Sequence, residues 1–198
     1  LAEMTNLGLP VPGGFTITTE VCDQFYKNNR KYPDGVDNEV KEHLKRLETI
    51  TGKKLGDADD PLLVSVRSGA ARSMPGMMET VLNIGLNDVT VLALAKSSGD
   101  ARFAWDSYRR LIQMFGRTVL GIDPERFDRA LDDAKQRRGV TLDTELTAAD
   151  LEILVATYAA LVEHDTGRPF PQDPREQLDL AVAAVFRSWD GARARLYR

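Results

Sequence analysis

LLVSVRSGAARSMPGMMETVLNI, residues 62–84, decides how this chain is read. Its apolar opening, Leu62 to Val66, predicts a short buried strand, and Thr80 to Ile84 predicts a second. The first strand delivers Arg67 into a loop punctuated by Gly69, Pro75 and Gly76. Arginine offers a planar, permanently charged fork of donors that suits phosphate oxygens. Gly69 and Gly76 let backbone N–H groups approach a ligand closely, and Ser68 and Thr80 add hydroxyl donors. Together these residues can form a polyphosphate cradle. The alternative is an Arg67 paired with a carboxylate and a Gly76 that only turns the chain. The loop is not the G-x-x-x-x-G-K-[ST] phosphate loop, so spacing alone leaves both readings open.

Before this stretch, Leu1 to Leu7 reads as the tail of a helix stopped by Gly8, which leads to the expectation that the chain begins inside a longer protein. Pro10 and Pro12 force an extended connection, Phe15 to Ile17 predicts a short strand, and Thr18 is a fair N-cap for a helix bearing Val21, Cys22 and Phe25. Asn28 to Gly35 reads as a loop. Val40, Leu44 and Leu47 mark the face of a further helix ended by Gly52. After Asn87 nearly everything reads as helix. Phe103, Tyr108, Leu111, Ile112, Phe115 and Val119 fall at helical spacing. Asp123-Pro124 is a cap with proline at the first helical position, opening a helix with Phe127, Leu131 and Ala134 that Gly139 stops. Thr147 and Asp150 resemble a capping box ahead of Leu151, Leu154, Val155, Tyr158 and Val162. A last helix starts near Pro174 and carries Leu178, Val182, Val185, Trp189 and Leu196. The expected fold is α+β in two parts: residues 1–87 mixed, and residues 88–198 a helical subdomain. Trp189, Phe115 and Tyr158 are expected in the core.

The chain has 198 residues, 42% of them hydrophobic and 28% charged, with a formal net charge of −4. That balance gives no general pull toward nucleic acid or acidic membranes. No apolar run approaches a membrane span, and no signal peptide is visible. The one cysteine, Cys22, excludes an internal disulfide and fits a reducing, cytoplasmic setting; it reads as a core thiol. Met74, Met77 and Met78 can line an adenine slot or simply fill a core. Arg102, Arg109, Arg110 and Arg117 are expected to face solvent. Arg187, Arg193, Arg195 and Arg198 suit a solvated helix end or a packed partner domain better than nucleic acid, since no aromatic platform interleaves with them. His43 and His164 stand far apart without ligand spacing, so neither a zinc site nor a histidine-based triad is expected.

Several blocks, in order, resemble the nucleotide-binding region of the pyruvate, phosphate dikinase family: LAEMTNLGLPVPGGFTITTE, PLLVSVRSGAARSMPGMMETVLNIGLND, RFAWDSYRRLIQMFG, ELTAADL, FPQDPREQL and AVFRSWDGARARLYR. The phosphoenolpyruvate synthases share the VPxGF opening and the VRS arginine, but SGAARSMPGMMET and RFAWDSYRRLIQMFG favour the dikinases.

The resemblance implies an ATP-grasp-like portion of a nucleotide domain. It implies a parent enzyme that interconverts ATP, phosphate and pyruvate with AMP, pyrophosphate and phosphoenolpyruvate. A phosphohistidine on another domain carries the phosphoryl group, and Mg2+ accompanies the nucleotide. Arg67 matches the family arginine that contacts ATP phosphates and is the candidate catalytic residue. Ser68, Gly76, Met78 and Thr80 join it as candidate nucleotide-binding residues. The family's glycine-rich lysine segment is expected before Leu1, and the acidic metal ligands, the phosphohistidine and the pyruvate-binding barrel after Arg198. Neither His43 nor His164 matches the phosphorylated histidine. The expected partners are ATP or AMP, those further domains of the same chain, and other copies of the parent in a homo-oligomer, with no nucleic acid and no membrane. The stretch alone is expected to be inactive. A phosphoenolpyruvate synthase-like nucleotide domain, or a non-catalytic helical docking module, is the alternative.

Overall fold

The computed structural model describes residues 2–69 and 80–189. The chain divides into two compact units, Leu1–Lys53 and Lys54–Arg198.

In the first unit, α1 spans Ala2–Asn6 and is closed by Gly8, whose N–H donates to the Thr5 carbonyl at 3.0 Å. Helix α2 (Thr19–Lys27) starts at the extended N-cap Thr18, and α3 (Val36–Thr51) ends at a left-handed Gly52, both as the sequence suggests. Val36, Val40, Leu44 and Leu47 form the buried stripe of α3, an amphipathic spacing that turns one face inward.

The strand expected over residues 15–17 does not form, and residues 9–18 are neither helix nor strand. A strand needs a neighbour to take its ladder hydrogen bonds, and the described strands all lie in the other unit. The segment rests on α3 instead. The Phe15 ring stacks on His43 with centroids 5.5 Å apart, and a Cβ at Gly13 would lie 3.2 Å from Leu47 Cδ1. Cys22 is only partly buried, short of the core position expected, though burial and the nearby Asp23 still push its thiol pKa up.

In the second unit, β1 (Lys54–Leu55) pairs in parallel with β2 (Pro61–Leu62), and β3 (Val64–Arg67) pairs antiparallel with β4 (Thr80–Ile84). The single buried strand expected over 62–66 is thus two short strands broken at Leu63. Only its start is buried: Leu62 is covered, whereas Ser65 and Arg67 are exposed. The cause is strand periodicity in a two-stranded sheet. Helix α8 (Pro174–Ser188) packs against β3 and β4, and α5 (Ala101–Thr118) against β4, so alternate β3 residues are left toward solvent.

The remaining helices are α4 (Thr90–Ser98), α6 (Pro124–Arg138) and α7 (Ala148–Thr166). Their starts follow the sequence signals. Asp123 accepts from the Glu125 N–H, and Thr147 with Asp150 forms a reciprocal capping box. The core lies where α5, α6 and α7 meet: Leu111, Ile112, Phe115, Phe127, Leu151, Leu154, Tyr158 and Val162 are all fully buried. Phe103 is half exposed; five positions before Tyr108, it misses the i, i+3, i+4 series of the buried face. Trp189, expected in the core, is only partly buried; it is the C-cap of α8, one position past the last helical residue, though its backbone is still helical. Leu196 lies outside the described residues.

Gly116 gives the α5–α6 packing a sharp test. A Cβ there would overlap the Phe127 ring, lying 2.9 Å from its Cε2. That ring is fully buried and held edge-on to Tyr158 at 4.9 Å. Alanine gains about 1 kcal/mol of helix propensity over glycine, but overpacking a core typically costs about 1–3 kcal/mol. We predict that Gly116→Ala lowers stability in chemical denaturation, and that adding Phe127→Leu costs less than the sum of the two single changes. An unchanged or raised midpoint for Gly116→Ala would show that the ring can give way.

Candidate functional site

The β3–β4 ladder pairs Val64 with Ile84, Val66 with Val81 and Arg67 with Thr80. Directly opposed residues of an antiparallel pair project to the same face. Two of the predicted site residues, thirteen positions apart in sequence, are therefore cross-strand neighbours. Arg67 is exposed, Thr80 and Ser68 partly so. Gly76 and Met78, together with Met74 and Met77, lie outside the described residues.

Past β4 the chain is fixed by side chains that the sequence did not single out. Gln177 of α8 is completely buried. Its Oε1 accepts from the Gly85 N–H at 3.0 Å, and its Nε2 donates to the carbonyls of Leu86 and Pro171 at 2.9 and 2.8 Å. Asn87 Oδ1 accepts from the N–H groups of Val89 and Thr90, while the Thr90 hydroxyl donates to the Gly85 carbonyl at 2.7 Å. Asn87-x-x-Thr90 was a readable signal, since asparagine caps helix starts. Gln177 carried no signal, because an amide on a helix is usually solvated. Further out, the Tyr108 hydroxyl donates to Asp88 at 2.8 Å and accepts from Gln172 at 3.1 Å. Burial, reinforced by Asp88, pushes the Tyr108 phenol well above its usual range, against the opposing effect of Gln172; it is a fixed neutral donor.

The α5 arginines do not behave as one solvated set. Arg102 donates to the carbonyls of Leu146 and Asp143. Arg109 is buried, paired with Asp106 at 2.5 Å and bonded to Gln113, which in turn reaches Asp128. Only Arg110 and Arg117 are exposed as expected. The difference is one of helical phase: Arg109 shares its face with Ile112 and Gly116. Tyr158 has its pKa pushed up to about 12, chiefly by burial, although Arg109 pulls the other way. His43 and His164 are exposed, and His164 meets Asp165 at 2.8 Å. Arg187 is also exposed; Arg193, Arg195 and Arg198 lie outside the described residues. In the first unit, a shallow groove lined by Phe15, Ile17, Val21, Val40 and His43 holds none of the predicted site residues. No helix among the described residues is long and apolar enough to cross a membrane.

Residues 30–198 match the family described as pyruvate phosphate dikinase, AMP/ATP-binding domain. The chain belongs to this family. Across its whole length it is 53% identical to a pyruvate, phosphate dikinase of Entamoeba histolytica, 54% to one of Rhizobium meliloti and 51% to one of Clostridium symbiosum. It spans 22%, 22% and 23% of those relatives respectively. The choice between dikinase and phosphoenolpyruvate synthase posed by the sequence thus falls to the dikinases, and the stretch corresponds to their AMP/ATP-binding domain.

The Gln177 bonds generate a prediction. Replacing this amide by leucine keeps its approximate bulk but leaves one buried N–H and two carbonyls without their partner. Each unsatisfied buried group costs about 1–3 kcal/mol. We expect Gln177→Leu to destabilise the protein by more than about 2 kcal/mol and to speed hydrogen exchange at the Gly85 amide beyond that at core amides of α7. Uniform acceleration of both would mean that the bonds stabilise the whole unit without specifically holding the end of β4.

Proposed function

We propose that the β3–β4 pair forms one wall of an ATP/AMP phosphate site, with Arg67, Ser68 and Thr80 as donors and Gly76 and Met78 of the intervening loop completing it. The observation that carries this reading is the register that sets Arg67 opposite Thr80. It gathers a guanidinium and a hydroxyl on one face, within a chain of the AMP/ATP-binding domain family. The strand pair with its loop is read as a portion of an ATP-grasp-like fold.

The mechanism is electrostatic. Arg67 neutralises polyphosphate oxygens as charge redistributes during phosphoryl transfer, and oriented hydroxyl and N–H donors share that charge. Arg67 touches the reacting nucleotide and is the proposed catalytic residue. The described side chains on this face do not suit a divalent cation. They offer a guanidinium and hydroxyls, and no cluster of three His, Cys, Asp or Glu among the described residues is arranged to hold a metal. Mg2+ would arrive with the nucleotide's phosphates, and its protein ligands are assigned outside this stretch. In the whole protein, the site would serve the interconversion of ATP, phosphate and pyruvate with AMP, pyrophosphate and phosphoenolpyruvate. A phosphohistidine and a pyruvate-binding domain elsewhere in the chain would complete the reaction. The stretch by itself is proposed not to turn over these substrates.

Arg67 tests the reading in the complete protein. Arg67→Lys keeps the charge but loses the two-pronged fork, and Arg67→Ala loses both. Both are expected to slow the ATP-side partial reaction, alanine more, each tenfold loss corresponding to about 1.4 kcal/mol of barrier. Exchange between pyruvate and phosphoenolpyruvate should stay near normal. Equal losses in both partial reactions would indicate misfolding, and an unaffected ATP step would remove Arg67 from the site.

A further inference from the structure

The β3–β4 ladder changes register between its two ends. From Val64↔Ile84 to Val66↔Val81, β3 advances two residues while β4 advances three. The extra residue falls at Leu82–Asn83, and Asn83 has φ 60°, in the left-handed region that asparagine tolerates better than most side chains. The bulge is tied down on its far side, because Asn83 Nδ2 donates to the Ser107 carbonyl of α5 at 3.4 Å. Gly85 follows with φ 111°, where a Cβ would meet the Leu62 carbonyl at 2.8 Å, so the strand cannot simply slide to relieve the insertion.

Without the extra residue, the register that begins at Val64↔Ile84 would run on to place Val81 opposite Arg67. With it, Thr80 takes that position and Val81 goes to the core, fully buried. Bulges recur beside active sites because they re-aim a side chain in this way, and a non-glycine residue held at positive φ there is a device to be explained. We infer that Asn83 is a positioning residue of the phosphate site: its left-handed backbone and its bond to α5 fix the register that sets the Thr80 hydroxyl beside Arg67. This rests on the reading of Arg67 and Thr80 as nucleotide donors.

The test uses the complete protein and four variants. Asn83→Gly keeps access to positive φ, Asn83→Val strongly disfavours it, Thr80→Val removes the positioned hydroxyl, and the fourth variant combines Asn83→Val with Thr80→Val. For Asn83→Val we expect a loss of about tenfold or more in kcat/KM for ATP in the ATP-side partial reaction, with pyruvate–phosphoenolpyruvate exchange nearly unchanged. Asn83→Gly should retain most of the ATP-side activity. In the Thr80→Val background, Asn83→Val should cost little further ATP-side activity while lowering thermal stability as much as it does alone. Such non-additivity in activity, with additivity in stability, marks action through Thr80. Additive activity losses, equal damage to both partial reactions, or a glycine variant as impaired as the valine one would overturn the inference. If Asn83→Val does not fold, Asn83→Ala takes its place in the same comparisons. An Arg67→Ala control separates the two failures. If Arg67→Ala spares the ATP step, the phosphate-site reading falls; if it abolishes that step while Asn83→Val leaves it intact, only the positioning role falls.

Discussion

The second unit depends on one buried amide. Where β4 ends, the chain leaves a two-stranded sheet and must still satisfy the backbone of residues 85 and 86, both buried. Buried peptide groups are nearly always hydrogen-bonded, and a two-stranded sheet has no third strand to offer. Gln177, far along the chain on α8, takes the place of that strand, accepting from Gly85 and donating to Leu86. Its third bond, to the Pro171 carbonyl, ties the approach to α8 to the same point. One side chain thereby joins the end of β4, the turn into α4 and the start of α8. Each carboxamide partner is backbone, so the arrangement tolerates little change in amide position.

The helical body answers a different problem, how to keep a cation in an apolar interior. Arg109 would be costly to bury unpaired. Its Asp106 partner lies one turn back on the same helix, and the second Asp106 oxygen meets Arg110 at 3.0 Å. The carboxylate is thus shared between a buried and an exposed guanidinium. Such a group need not add net stability, because desolvation opposes the attraction between the charges. It does specify geometry: Arg109 bonds Gln113, and Gln113 bonds Asp128 of α6, which fixes how α5 and α6 meet beside the fully packed Phe127 and Tyr158.

What was legible in the sequence was what local chemistry decides. Thr18, Asp123, Thr147, Gly52 and Gly139 mark helix ends where the structure has them, because caps depend on a few neighbouring atoms. The α7 face from Leu151 to Val162 was legible because periodicity alone selects it. Residues 15–17 were misread since a strand is a property of two segments, and one segment cannot disclose whether the other exists. Arg109 was misread because charge suggested solvent while helical phase dictated burial, and phase prevailed once a carboxylate lay within reach. For the site, two strand ends flanking a loop could be seen, but not the register between them. That register turns on one inserted residue at Leu82–Asn83, whose effect appears only when the two strands are set side by side.

The exposure of Arg67 limits how much it can contribute alone. A hydrogen bond to a charged group contributes roughly 1.5–3 kcal/mol, while ordering a free arginine side chain costs about 2 kcal/mol. In water the two nearly cancel, so an isolated guanidinium at a strand end would hold a phosphate weakly. The balance shifts when several donors share one anion and water is excluded, because the effective dielectric falls and each interaction strengthens. On this view the strand pair, packed on α5 and α8, supplies position by setting Arg67 opposite Thr80. Strong binding then requires further walls that close over the nucleotide. That requirement agrees with a family whose curated members are more than four times as long as this stretch.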